Sequence, residues 1–371
     1  MSRADFYPSP VQELLLKAAL LDGPKAIACW DAWRSAVGVD DIDIGSQRLL
    51  PLLYRNMQRL GVDHPDLNRY RSVHRYIWVD NQLRIRQAVA LIETMDAANI
   101  PVVLLKGIAL ATLCYEDIGQ RPMSDLDFLV PDADVQAAGQ LLEQRGWHSP
   151  DIALLASGEF RSVYHAIAFS RHGTLTEVDL HWHSAHEFWG ADANADLYAR
   201  AQTMEIGGIR ALTPSDTDHL FLTCIHGTRS NDIAPIRWIA DAMLLIRRRK
   251  IDWSQLSVQI RKSLSSRRMG AAFRYLEDEF EAGVPASFFA ELAQSSSSRV
   301  ELLEDFIARR KPPEVIAVLG AFCASFWRNS YYRPSPAGFL SFMRARWGAR
   351  SMMGTFSQGL QRTAKHIFKS G

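Results

Sequence analysis

The chain has 371 residues, 47% hydrophobic and 22% charged, with a formal net charge of +1. This is globular composition with apolar mass for a large core or two to three packed units, and a field so near neutral selects no partner by itself. The four cysteines, Cys29, Cys114, Cys224 and Cys323, lie far apart without a C-x-x-C pair, which excludes a disulfide frame or cysteine zinc site and reads as buried thiols in a reducing cytoplasm.

The opening "MSRADFYPSPVQELLLKAALLDG" has no signal-peptide apolar region. "VQELLLKAALL" and "SQRLLPLLYRNMQRLG" carry apolar residues at helical spacing, and the pattern from Val73 to Ile100 predicts one long helix reaching residue 98. The period then changes. "IPVVLL", Ile100 to Leu105, reads as a short buried strand, Lys106-Gly107 as a turn, and "IALATLCYED" as a helix. "FLV" at 128–130 closes a second strand, and Pro131-Asp132 opens a helix running to about Arg145 and stopped by Gly146. "SVYHAIAFS" and "TLTEVDLHWHS" around "RHG" predict a hairpin, and "TMEIGGIRALTP" a second with Gly207-Gly208 at its turn. Helical spacing returns from Pro214, most plainly in "PIRWIADAMLLIRRR". The apolar run Val315 to Trp327 is shorter than the roughly 20 residues that span a bilayer and reads as a buried helix. The expected class is α+β: a helical region 1–98, a small mixed-sheet core 99–212, and a helical region 213–371 with a basic tail, in a soluble cytoplasmic protein.

The stretch "SDLDFLV", Ser124 to Val130, raises the functional question. Residues two apart on a strand share a face, so Asp125 and Asp127 aim together while Leu126 enters the core. Two like charges at that spacing repel unless a cation lies between them, and hard, oxygen-seeking Mg²⁺ suits them. Removing either carboxylate is therefore expected to relieve repulsion in the metal-free protein. A second D-x-D, in "DIDIGS" at 41–46, lies between helical patterns without companions. Asp125 has them. Upstream, Lys106-Gly107 precedes a helix whose N-terminus offers free amides to a phosphate, with Gly107 allowing close backbone approach. Downstream, in "TEVDLHWH", Asp179 alternates onto one strand face with Glu177, His181 and His183.

This order, a glycine turn before a helix, then D-x-D, then one aspartate on a later strand, resembles the nucleotidyltransferase superfamily typified by DNA polymerase beta. The fuller set "LLKGIALATLCYED", "RPMSDLDFLV", "EVDLHW", "CIHG", "IRWIADAMLLI" and "IDW", over about residues 75 to 255, is similar to a bacterial family of largely uncharacterised nucleotidyltransferases. Gly107 is followed by Ile108, where the wider superfamily has Gly-Ser or Gly-Gly. The resemblance implies Mg²⁺-dependent transfer of a nucleoside monophosphate from ATP or another NTP to an acceptor, through two ions, with Mn²⁺ as a substitute. Asp125, Asp127 and Asp179 would be the metal-holding catalytic residues, and Asp179 would also help deprotonate the acceptor hydroxyl. Lys106, Gly107 and Arg121 would bind the nucleotide. The acceptor could be a protein, a tRNA 3′ end, a sugar or a small molecule, with His181, His183, His226 and Arg237 as acceptor-pocket candidates.

Two other functions fit the residues: a non-catalytic nucleotide-binding adaptor, supported by the altered turn, and a metal hydrolase built on the H-x-H-x-x-H of His181, His183 and His186. Arg237 and Asp241 are i, i+4 neighbours and read as a helix-surface ion pair. Trp182, Trp238 and Trp253 read as core. After Glu314 the chain has eight lysines and arginines and no acidic residue, so the tail could meet nucleic acid or an anionic membrane surface, or pack on the helical region with its charges solvated.

Overall fold

Six strands lie between residues 103 and 213: β1 (Val103–Leu104), β2 (Asp125–Leu129), β3 (Ala166–Ser170), β4 (Glu177–His181), β5 (Gln202–Ile206) and β6 (Ile209–Thr213). The computed structural model, which describes residues 6–38, 40–188, 194–229, 236–294, 297–310 and 314–348, joins them in one mixed sheet of order β3-β4-β2-β1-β6-β5. β2 is parallel to β4 and antiparallel to β1, and β1 is parallel to β6. Helices flank this sheet, so the α+β reading holds.

Both expected hairpins form, β3 with β4 and β5 with β6. Gly207 and Gly208 have φ of 55° and 87°, the left-handed backbone that a tight two-residue hairpin turn requires. Strand β1 is shorter than its apolar run, because Pro101 has no amide to give a ladder; Leu105 nonetheless donates its N–H to Asp127 O at 3.0 Å. The helix after β2 begins at Val135, not at Pro131-Asp132, since Pro131 to Asp134 closes a turn first, and Gly146 ends it with φ of 80°.

One sheet face is apolar along β1, β2 and β4. Leu104, Leu126, Phe128, Val178 and Leu180 are buried there against Ala88, Leu91, Ile92 and Met95 of the helix Asp66–Ala97 and Val135, Ala138 and Leu142 of the helix Val135–Gln144. The other face is divided. Val103, Leu105 and Leu129 join a second core that also contains Leu15, Trp30 and Leu53 from before the sheet and Leu220, Trp238, Met243 and Phe273 from after it. The helices preceding and following the sheet thus share one hydrophobic core. The 32-residue helix Asp66–Ala97 contributes Leu67 and Tyr70 to that core and its C-terminal half to the first.

Trp182 and Trp238 are buried and Trp253 packs against the helical core. Cys114 and Cys224 are buried thiols, whereas Cys29 and Cys323 are half-buried, a correction to the expectation for all four. The apolar run Val315 to Trp327 does form a helix, Glu314–Arg328, but it is not a buried one. Ile316, Leu319 and Trp327 are exposed, because among the described residues this helix packs through one side, with Ala324 and Phe326 inward. No described helix is long and apolar enough to cross a membrane. Of the basic tail, the helix Pro336–Trp347 packs through Phe342 and Met343 on Val163 and Phe326, against the segment before β3 as well as a late helix. Arg344 meets Glu159 at 2.9 Å with both side chains still exposed to solvent, and Arg346 lies over the Tyr164 ring. Residues 349–371 lie outside the described residues.

Candidate active site

The alternation of β2 puts Asp125, Asp127 and Leu129 on the divided face of the sheet. The parallel register pairs Asp127 with Asp179 and Leu129 with His181 across β2 and β4. The two carboxylates are therefore direct neighbours on adjacent strands, with Asp125 one pleat away on the same side. Beyond β4, the residues in register are Ala166 and Ala168, whose small side chains leave this part of the face open. Asp127, Asp179 and His181 offer ligand atoms that all lie within 4.8 Å of one another; among the described residues this is the group that could hold a metal ion. Two carboxylate oxygens and an imidazole nitrogen form a donor set that divalent cations accept.

The charge environment separates the aspartates. Asp127 is 1% exposed, and its Oδ1 receives Lys106 Nζ at 2.6 Å and lies 2.9 Å from His181 Nε2. Burial alone would raise its pKa, but the Lys106 ammonium and His181 overcome that and hold the carboxyl well below the usual range. Simple repulsion was the expectation for this residue, and it is corrected here: the resident cation makes Asp127 a stabilised carboxylate. Asp179 is shifted the other way. Burial, then the charges of Asp127 and Asp125, push it up to about 6 against the opposing pull of His181. Asp125 is half-buried at the start of β2.

Lys106 is the first residue of the helix Lys106–Leu113 and has a left-handed φ of 47°. Gly107 follows and is buried. A Cβ there would lie 3.2 Å from Arg121 Nη1 and 3.3 Å from Met123 Cβ, so the glycine is needed for close packing behind the turn. Arg121 is 3% exposed, not a surface loop residue. Its Nε and Nη2 donate to Asp241 Oδ1 and Oδ2 at 2.8 and 2.9 Å, and its Nη1 is buried beside Gly107 without a hydrogen bond.

Asp241 also accepts from Tyr115 Oη at 2.6 Å. The expected Arg237–Asp241 surface pair is not made, because Asp241 is buried and bound to Arg121, while Arg237 Nη1 donates to Pro122 O at 2.7 Å. His181 joins the carboxylates. His183 does not share their strand face, because β4 ends at His181; it is buried with its ring 6.1 Å from that of Tyr331, and burial pushes its pKa down to about 4. His186 lies against His165, with ring centroids 3.6 Å apart and planes tilted by 49°. The H-x-H-x-x-H residues thus do not converge on one centre, and only His181 belongs to the metal-capable group among the described residues. His226 is exposed, with Nδ1 3.2 Å from Arg229 Nη1. The other D-x-D has a structural use: Asp43 caps a short helix through Ser46 N at 3.0 Å.

Sequence reasoning missed three supports of the site. Asn81 is fully buried mid-helix, and its Nδ2 donates to Ile118 O and Arg121 O at 2.6 and 2.9 Å, fixing the loop that leads into β2. Tyr115 and Asp241 fix the Arg121 side chain. Glu187, 6% exposed, accepts from Arg229 and Arg268. A buried asparagine or glutamate inside a helical or loop pattern was the available signal, but it names no partner. A family model described as an uncharacterised nucleotidyltransferase matches residues 44–281, a span that contains the whole sheet and its carboxylates. No curated protein matches the chain.

Proposed function

Since the chain belongs to the family of uncharacterised nucleotidyltransferases, we propose that it transfers a nucleoside monophosphate from an NTP to an acceptor hydroxyl and releases pyrophosphate. The observation that carries this reading is the adjacency of Asp127 and Asp179 on parallel strands, with Asp125 on the same face and a helix N-terminus at Lys106 beside them. Asp125, Asp127 and Asp179 would hold Mg²⁺, with Mn²⁺ as a substitute; of these, Asp127 and Asp179 lie with the His181 imidazole in the metal-capable group, and Asp125 stands outside it on the same strand face. When bound, two such ions supply charge stabilisation for the attacking and leaving oxygens of an in-line displacement.

The chain's own groups do the rest. The first amides of the helix Lys106–Leu113 have no intrahelical acceptor and suit the triphosphate oxygens. Lys106 adds a cation there, and Arg121, braced by Asp241, keeps the Gly107 turn in place. Asp179, beside Asp127 on the open face, would help take the proton of the acceptor hydroxyl. His181 orients Asp127 through the 2.9 Å contact. His226, exposed beside Arg229, belongs on the acceptor side, whereas His183 and Arg237 have the other engagements described above. The acceptor class, from protein to tRNA to sugar or small molecule, is open in this reading.

A second reading, a nucleotide-binding adaptor without turnover, is favoured by one observation. Ile108 is 1% exposed and apolar, so the turn offers phosphate its amide and no hydroxyl. Pyrophosphate release separates the two. With each NTP, Mg²⁺ and an extract of the source cells, the enzyme reading expects release by the wild type that stops in Asp125→Asn and in Asp179→Asn. Tight NTP binding with no release under any condition would establish the adaptor.

A further inference from the structure

One oxygen carries an unusual load. Asp127 Oδ1 has both Lys106 Nζ at 2.6 Å and His181 Nε2 at 2.9 Å, and the same carboxylate belongs to the group able to hold a metal. An ammonium has three donors and no lone pair, so it satisfies a carboxylate but cannot bridge it to a cation. A divalent ion approaching Asp127 meets a positive charge already in contact with its ligand. Lys106 and the metal therefore compete for one carboxylate.

Lys106 is also built to leave. Its side chain is 25% exposed while Asp127 is 1% exposed, so the acid is fixed in the interior and the ammonium reaches it from the rim. A lysine stem is long and flexible. Its backbone stands at the N-terminus of the helix Lys106–Leu113, where free amides attract phosphate oxygens. An anion arriving there gives the ammonium a second partner close to its own backbone. The left-handed φ of 47°, uncommon for a residue with a side chain, belongs to this residue alone within the turn.

We propose that Lys106 is the stand-in cation of the metal site: its ammonium occupies Asp127 until nucleotide arrives, then moves to the triphosphate as the divalent ion takes the carboxylate. This rests on the nucleotidyl-transfer reading and deepens it. It makes nucleotide and metal binding mutually reinforcing, since each removes an obstacle to the other. The protein without nucleotide then holds metal weakly and keeps its carboxylate neutralised.

The test is binding by the full chain, without turnover. Mn²⁺ affinity in the absence of nucleotide is read from the free-ion spin-resonance signal. Affinity for an α,β-methylene NTP analogue at saturating Mn²⁺ is read by equilibrium dialysis. Lys106→Met and Lys106→Gln, checked for folding by circular dichroism, are compared with the wild type and with Asp127→Asn. The exchange predicts effects of opposite sign in the Lys106 variants. Mn²⁺ should bind about tenfold tighter than to the wild type, and the analogue about tenfold weaker, each decade being about 1.4 kcal/mol. Mn²⁺ affinity unchanged by either Lys106 variant, with loss of Mn²⁺ in Asp127→Asn, overturns the exchange and leaves the metal site standing. Tighter Mn²⁺ with unchanged analogue affinity also overturns it, reducing Lys106 to a salt bridge. Mn²⁺ binding indifferent to Asp127→Asn overturns the metal-site reading as well.

Discussion

The Arg121 guanidinium grips Asp241 with two hydrogen bonds, of 2.8 and 2.9 Å, between residues 120 apart in the chain. Arg121 is 3% and Asp241 4% exposed, so the pair is buried and bidentate. It ties the loop before β2 to the helix Arg237–Arg248, and hence the carboxylates to the helical core. Removing one partner leaves the other charge buried and uncompensated. Asp241→Ala should lower stability by about 3–5 kcal/mol in urea denaturation, and Asp241→Asn by less, since it keeps the shape and one acceptor. Equal stability of Asp241→Ala and the wild type would show that the pair contributes nothing.

Asp125 and Asp127 should behave alike in turnover and differently in stability. Substitution of either by Ala should lower pyrophosphate release on the order of 10³-fold, because charge stabilisation at the reacting phosphate is lost. Asp127→Ala also strands Lys106 and His181 without their acceptor and should cost about 3 kcal/mol or more of folding stability. Asp125→Ala, at a half-buried strand end, should cost less than about 1 kcal/mol. Paired urea melts distinguish these.

Gly107 tests the packing behind the phosphate turn. The Cβ of Gly107→Ala would lie 3.2 Å from Arg121 Nη1 and 3.3 Å from Met123 Cβ, tighter than ordinary contact. Overpacking of this kind should cost about 1–3 kcal/mol and raise the KM for NTP, because the turn must shift. An unchanged melt and an unchanged KM would mean that the turn yields freely.

His219 gives the protein an acid limit. It is buried, its Nε2 lies 2.7 Å from Thr213 Oγ1, and Thr213 donates onward to Leu104 O at 3.1 Å. Burial, opposed by Asp216 and Asp218, pushes its pKa from 6.5 down to about 4. The unfolded chain therefore binds the proton first. Stability is undiminished above pH 6.5 and falls as pH drops from there towards 4, by about 3 kcal/mol in all from this residue. His219→Gln should flatten that part of the stability–pH curve in urea melts taken between pH 7 and 4.

Alternation and turn chemistry made the strands and both hairpins legible, because period two and a Gly-Gly turn are local properties. They also put Asp125 and Asp127 on one face. They did not reveal that β2 and β4 are neighbours with Asp127 beside Asp179, since adjacency in a sheet is set by long-range packing. The alternation of "TEVDLHWH" carried His183 along with His181, but the strand stops at His181 and the histidines part. Arg121 and Asp241 show the same limit: helical spacing offered Arg237 as partner, while the buried geometry chose a residue in a distant loop. The run Val315 to Trp327 was apolar enough for a core, yet only one side of its helix is covered among the described residues. Charge pairing was the least legible of all. Two aspartates suggested repulsion, and the neutralising Lys106 lay 21 residues before Asp127.

The most direct test of the central claim is label transfer. Wild-type chain and Asp127→Asn are incubated with each of the four α-³²P NTPs, Mg²⁺ and an extract of the source cells separated into protein, RNA and small-molecule fractions. The account predicts label in one fraction, from one preferred NTP, with the wild type only, and no transfer from the γ-labelled nucleotide. Label appearing equally with Asp127→Asn, or transferred from the γ position instead, would contradict nucleotidyl transfer at this site.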